Sequence, residues 1–74
     1  MPKLPVLSAR QVIKALERMG FKIVRQSGSH IHLWNDQRRI LVTVPNHKEL
    51  AKGTLNGIIK QSKMNRDEFL SYVK

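Results

Sequence analysis

The sequence contains no cysteine. That absence excludes a disulfide framework, a thiolate nucleophile and a zinc–thiolate centre. It fits a reducing compartment, and the cytoplasm is the expected location. Acidic residues are scarce: five Asp and Glu stand against 14 Lys and Arg, a formal net charge of +9. Long apolar runs are missing too. None approaches the roughly 20 residues of a membrane span. The segment from Met1 to Leu7 is too short and too broken by Pro2 and Pro5 to act as a signal peptide. No membrane partner is expected.

What is present is a short chain with a strong positive field. Its 74 residues predict one domain, spanning 1–74, with no room for a second. A chain of this length buries only roughly 60–65% of its unfolded surface, so its core is small. A hydrophobic fraction of 41% still supports a folded domain over a disordered tail. The charge predicts a polyanionic partner. Nucleic acid is the first expectation, an acidic protein the second and an anionic membrane surface the third.

Taken in order, residues 1–7 are a lead-in whose prolines oppose helix. Ser8 and Gln11 form a capping box, and a helix is predicted from Ala9 to about Met19. Val12, Ile13, Leu16 and Met19 are its buried stripe. Gly20 ends it, since glycine takes a positive φ freely. A first strand follows over 21–26. Phe21, Ile23 and Arg25 share one face there, so neither face is purely apolar. Ser27-Gly28-Ser29 turns the chain into a second strand, His30 to about Asn35. Asn35-Asp36-Gln37-Arg38 is a hairpin turn. A third strand runs from Arg39 to Val44, and Pro45 stops it.

A connection then leads to a second helix opened by Gly53-Thr54, with Thr54 as its cap. Leu55, Ile58 and Ile59 are its apolar stripe, and Gly57 is placed for close packing. Asn65 and Glu68 form a second capping box before a final helix over 66–73. Phe69, Leu70 and Val73 fold that helix back on the core. Helix, three strands, helix, helix is an α+β order with a three-stranded antiparallel sheet. One sheet face needs cover, and the helices supply it. This is the two-layer sandwich of double-stranded-RNA-binding domains.

The candidate site lies at the Gly28 turn. In a strand beginning at His30, the side chains of His30, His32 and Trp34 share one face, and Ile31 and Leu33 share the other. An apolar side is free for the core. The opposite side carries two imidazoles and an indole. An imidazole in water titrates near ~6.5, so such a group both accepts and donates protons near neutrality.

These pieces resemble the HicA toxins, small RNA-cleaving members of HicA–HicB toxin–antitoxin pairs. The likeness rests on Leu16-Glu17-Arg18-Met19-Gly20-Phe21, then Gln26-Ser27-Gly28-Ser29-His30, then Val44-Pro45-Asn46-His47. It continues through residues 49–61, from Glu49-Leu50-Ala51-Lys52-Gly53-Thr54 to Lys60-Gln61. It spans about residues 8 to 70. Asn56-Gly57 and Gln61-Ser62-Lys63-Met64 depart from the pattern. The resemblance implies a double-stranded-RNA-binding-like fold and cleavage of messenger RNA. It implies a HicB-like antitoxin that covers the site, and a catalytic histidine at His30.

RNA is cut without a metal when its own 2′-hydroxyl is the nucleophile. The enzyme then moves protons and steadies the crowded phosphate. His30 is the candidate general base or acid. Lys22, Arg25, Arg38 and Arg39 are candidates for phosphate contact. Gly28 lets the backbone approach a ligand, and Ser27 and Ser29 are candidate hydrogen-bond donors to phosphate. Lys48 and Lys52, near a helix N-terminus, are further RNA-binding candidates. His32 and His47 are better read as sheet-face and loop residues. Trp34 is a hydrophobic cover, a protein contact or a stacking surface. His30, His32 and His47 lack a carboxylate or cysteine to complete a metal site, so no metal or cofactor is expected. Two other functions share this composition: a non-catalytic double-stranded-RNA-binding module, and a basic subunit that serves only an acidic protein.

Overall fold

The computed structural model describes residues 4–73; Pro2 and the start of the lead-in lie outside the described residues. The elements are α1 (Ala9–Arg18), β1 (Lys22–Ser27), β2 (His30–Asn35), β3 (Ile40–Pro45), α2 (Lys52–Gln61) and α3 (Arg66–Ser71). The strands form an antiparallel sheet in the order β1-β2-β3. α1 and α2 both pack on β3. The fold is the α+β two-layer arrangement that the sequence predicts.

Both ends of α1 are set by local chemistry. Ser8 Oγ accepts from the Gln11 N–H at 3.1 Å, and Gln11 Oε1 accepts from the Ser8 N–H at 2.9 Å. These two bonds satisfy donors that a helix start leaves free. At the other end Gly20 has φ +103°. The Phe21 N–H donates to Leu16 O at 3.0 Å and the Gly20 N–H to Glu17 O at 3.1 Å, the paired bonds of a Schellman stop. Between the caps, Val12, Ala15 and Leu16 are fully buried. Val12 and Leu16 join one core with Leu33, Val42 and Val44 from the sheet, Leu55 and Ile58 from α2, and Phe69 from α3. Each such side chain contributes about 1.5–3 kcal/mol by leaving water.

The helices leave β1 uncovered, and all six of its residues are exposed. β1 also carries a bulge that sequence alternation does not reveal. Ile23 pairs with Leu33, but Arg25 pairs with His32, so Val24 is the extra residue. Paired residues in an antiparallel ladder share a face. Ile23 and Arg25 therefore lie on opposite faces, contrary to simple alternation. Beyond the bulge, Ser27 pairs with His30. Ser27 is thus the last strand residue, and the turn is Gly28-Ser29 alone. Gly28 has φ +59° and Ser29 does not take a positive φ, which is the pattern of a two-residue type II′ hairpin.

The second hairpin turns through residues 36–39, and Arg39 sits in it with φ +56°. The strand starts at Ile40 because Arg39 is in a left-handed conformation with its N–H bonded to Asn35 O at 2.7 Å. Asn35 is buried, and its amide donates to Met19 O at 3.3 Å and accepts from the Arg38 N–H at 2.9 Å. It ties the end of α1 to this turn. Pro45 is the last residue of β3. The Thr43 N–H points outward to Gln61 Oε1 at 3.0 Å, so the nitrogen of Pro45, two residues on, also faces outward. Its missing N–H costs the ladder nothing.

α2 begins at Lys52 with Ala51 at the cap position and no side-chain cap bond, so Thr54 is not the cap. Leu55, Ile58 and Ile59 are buried as predicted. Gly57 is not a packing contact, since a Cβ built there meets nothing within 4 Å. α3 is capped by Asn65, whose Oδ1 accepts from the Glu68 N–H at 2.7 Å. Phe69 is fully buried, and Leu70 and Val73 pack against the core.

Candidate functional site

The two ladders sort the strand residues into rows across the face that the helices leave open. One row is Ser27, His30 and Pro45. The next is Arg25, His32 and Thr43. The third is Lys22, Trp34 and Leu41. Burial agrees: along β2, His30 is exposed and His32 and Trp34 half-buried, while Ile31, Leu33 and Asn35 point into the core.

His30 is the first residue of β2 and stands at the mouth of the Gly28 turn. Its strand partners hold its backbone on both sides, and its side chain is exposed. Thr43 N–H points away from β2, so His30 and Pro45 form a pair without mutual hydrogen bonds. Such pairs approach to about 4.5 Å between Cα atoms. The proline ring therefore stands close beside the imidazole. One residue further, the Asn46 N–H donates to Ser29 O at 2.6 Å, which ties the Gly28 turn to the loop after β3.

That loop is fixed in turn. The Ala9 N–H donates to His47 O at 3.0 Å and the Leu50 N–H to Leu7 O at 2.8 Å. Ser8, Arg10, Asn46, His47 and Lys48 line an open groove of about 460 Å³. Its wall carries two cationic side chains and an imidazole. The sheet face contributes more positive charge through Arg25 and Lys22. His32 is oriented by Thr43, whose Oγ1 lies 3.0 Å from its Nδ1.

The sequence candidates divide into two groups. Ser27, Gly28, Ser29, His30 and Arg25 gather at one end of the sheet, with Lys48 in the adjoining groove. Arg38 and Arg39 lie in the β2–β3 turn, at the opposite end of β2, so they are not neighbours of His30. Lys22 lies in the same far row as Trp34. Lys52 is the first residue of α2, exposed, with no bond tying it to the His30 end. Arg10 and Thr43 join the site only through tertiary contacts, and no local pattern marks them, whereas Asn46 belongs to the Val44-Pro45-Asn46-His47 motif and joins through its bond to Ser29 O. Among the described residues no group of three or more His, Cys, Asp or Glu is placed to hold a metal ion.

A family model described as the HicA toxin of bacterial toxin–antitoxin systems matches residues 9–64. The chain belongs to the HicA toxin family. The match opens with the first residue of α1, includes the whole sheet and α2, and ends at Met64 just before α3. It therefore contains the Gly28 turn, His30 and the Asn46–Lys48 loop. Membership in the HicA family makes the chain the toxin half of a toxin–antitoxin pair. Compared with individual curated proteins, the chain has no match. Among the described residues no helix is long and apolar enough to cross a membrane.

Proposed function

We propose that this HicA toxin is a ribonuclease that cuts messenger RNA without a metal, with His30 as its proton-transferring group. The reaction is a transesterification. The 2′-hydroxyl loses its proton and its oxygen attacks the adjacent phosphorus. The bond from phosphorus to the 5′-oxygen breaks, and that oxygen takes up a proton. The products are a 2′,3′-cyclic phosphate and a free 5′-hydroxyl. His30 moves a proton in this step, at the 2′-oxygen or at the departing 5′-oxygen, for roughly 10²–10⁴-fold in rate.

One observation carries the reading: an exposed imidazole at a glycine turn, on the open face of a cationic sheet, in a chain of the HicA family. Arg25 is the cation nearest on the sheet, one row away, and it offsets charge on the phosphoryl oxygens. Gly28 has open space where a Cβ would stand, so a phosphate comes close to the backbone there. Ser27 and Ser29 offer hydroxyls at the same edge, and Lys48 and Lys52 add attraction for the RNA backbone. A HicB-like antitoxin, by covering this end of the sheet, keeps RNA from His30.

Expression in a bacterial host tests the proposal. Wild type arrests growth and depletes messenger RNA, His30→Ala does neither, and co-expression of the cognate antitoxin restores growth. Growth arrest by His30→Ala at wild-type strength overturns it.

A further inference from the structure

We propose that the open sheet face is a stacking platform for single-stranded RNA, with Trp34 as the aromatic surface on which an unpaired base lies. The inference rests on the ribonuclease reading and names the form of its substrate.

In the far row of this face, Trp34 and Leu41 put apolar and aromatic surface where a solvated sheet is polar. Leu41, next to Trp34 in register, is 51% exposed, while the Trp34 ring is half-buried. The Trp34 Nε1–H donates to Asp36 Oδ1 at 3.4 Å, which fixes the ring's polar edge and leaves an apolar surface for a base. His32, between Trp34 and His30, is a second planar ring held in one orientation by Thr43. Lys22 pairs with Trp34 and Arg25 with His32, so each ring has a cation at its flank. Planar rings interleaved with cations suit a strand whose bases stack while its phosphates run along the positive edge.

A duplex does not fit this face. Its bases are already stacked and paired, so none is free to lie on Trp34. The chemistry at His30 also requires an unpaired strand. In-line attack by a 2′-oxygen demands that the ribose and phosphate swing out of the A-form path, which breaks local stacking. Trp34 lies four residues along β2 from His30, about 13 Å. A base released from its own stack therefore finds a replacement surface within a few nucleotides of the scissile phosphate.

The test uses the full chain carrying His30→Ala, so that RNA stays intact. Trp34 is its only tryptophan and therefore reports from the platform itself. An unstructured oligouridylate or oligoadenylate quenches Trp34 emission on binding, and a duplex of equal length does not. By anisotropy of end-labelled RNA, Trp34→Ala weakens single-strand binding roughly ten-fold, the scale of one lost base–aromatic stack. Trp34→Phe restores most of it, and an unchanged melting temperature shows that either variant is folded. Equal single-strand affinity in the folded Trp34→Ala protein overturns the proposal, as does stronger quenching by the duplex. Loss of antitoxin binding alone in Trp34→Ala overturns it too, assigning the face to protein contact. Wild-type protein that cuts no RNA defeats the ribonuclease reading instead, and cleavage that survives His30→Ala defeats only the role of His30; either leaves the quenching result to be read on its own.

Discussion

Arg25 stands directly opposite His32 because Val24 is bulged out of the β1–β2 ladder. Without that extra residue, alternation would put Arg25 on the face of Ile23, toward the helices. The bulge turns it onto the open face, one row from His30, and makes it the best-placed sheet cation for a phosphate at the turn. Arg38 lies at the other end of β2 and has no such position.

The first prediction separates these two arginines. Arg25→Ala lowers kcat/KM for RNA cleavage roughly ten-fold or more, as expected for loss of a charge aimed at the reacting phosphate. Arg38→Ala, an exposed charge at a distance, changes it by no more than about two-fold. Both are read by single-turnover cleavage of a defined RNA at fixed salt. Equal effects would mean that only net charge matters.

Gly28 is the second test. Its φ of +59° is unfavourable for an L-residue, yet a Cβ there meets nothing within 4 Å. The cost of Gly28→Ala is therefore backbone strain alone, about 1–2 kcal/mol of unfolding free energy in urea. Gly28→Asn costs less than Gly28→Ala, because asparagine is among the residues that turns of this type accept.

Gly57 gives the opposite sign. It is inside α2 at an ordinary helical φ, and open space surrounds the position of a Cβ. Gly57→Ala stabilises the chain by about 0.5–1 kcal/mol, because alanine loses less backbone freedom on folding. Chemical denaturation checks this, and a destabilised variant contradicts the placement of that residue.

Asn35 is the polar residue on which the far turn depends. Asn35→Ala removes the donor to Met19 O and the acceptor for the Arg38 N–H, both in a buried setting. A loss of about 1–3 kcal/mol is expected in thermal or urea unfolding. Cleavage per folded molecule stays near wild type, because this turn is remote from His30.

Much of this was legible in the residues. The Ser8–Gln11 box, the Gly20 stop and the bounds of β2 depend on contacts within a few positions, so local chemistry names them. The bulge was not legible. β1 is an edge strand exposed on both faces, and no apolar stripe exists there to betray a slip in alternation. The start of α2 was misplaced for a related reason. Thr54 is a good capping type, but the helix begins at Lys52 with Ala51 at the cap and no side-chain bond. At the site, His30 and the Gly28 turn were readable from a short motif. Arg10 and Thr43 were not, because contacts such as Ala9 to His47 and His32 to Thr43 bring them in from distant parts of the chain.

The most direct test of the central claim is single-turnover cleavage of a purified RNA in excess chelator, comparing wild type with His30→Ala. Wild type leaves a 2′,3′-cyclic phosphate and a 5′-hydroxyl, and the variant is slower by roughly 10²-fold or more. A variant that cuts at the wild-type rate, or a wild type silenced by the chelator, contradicts the account.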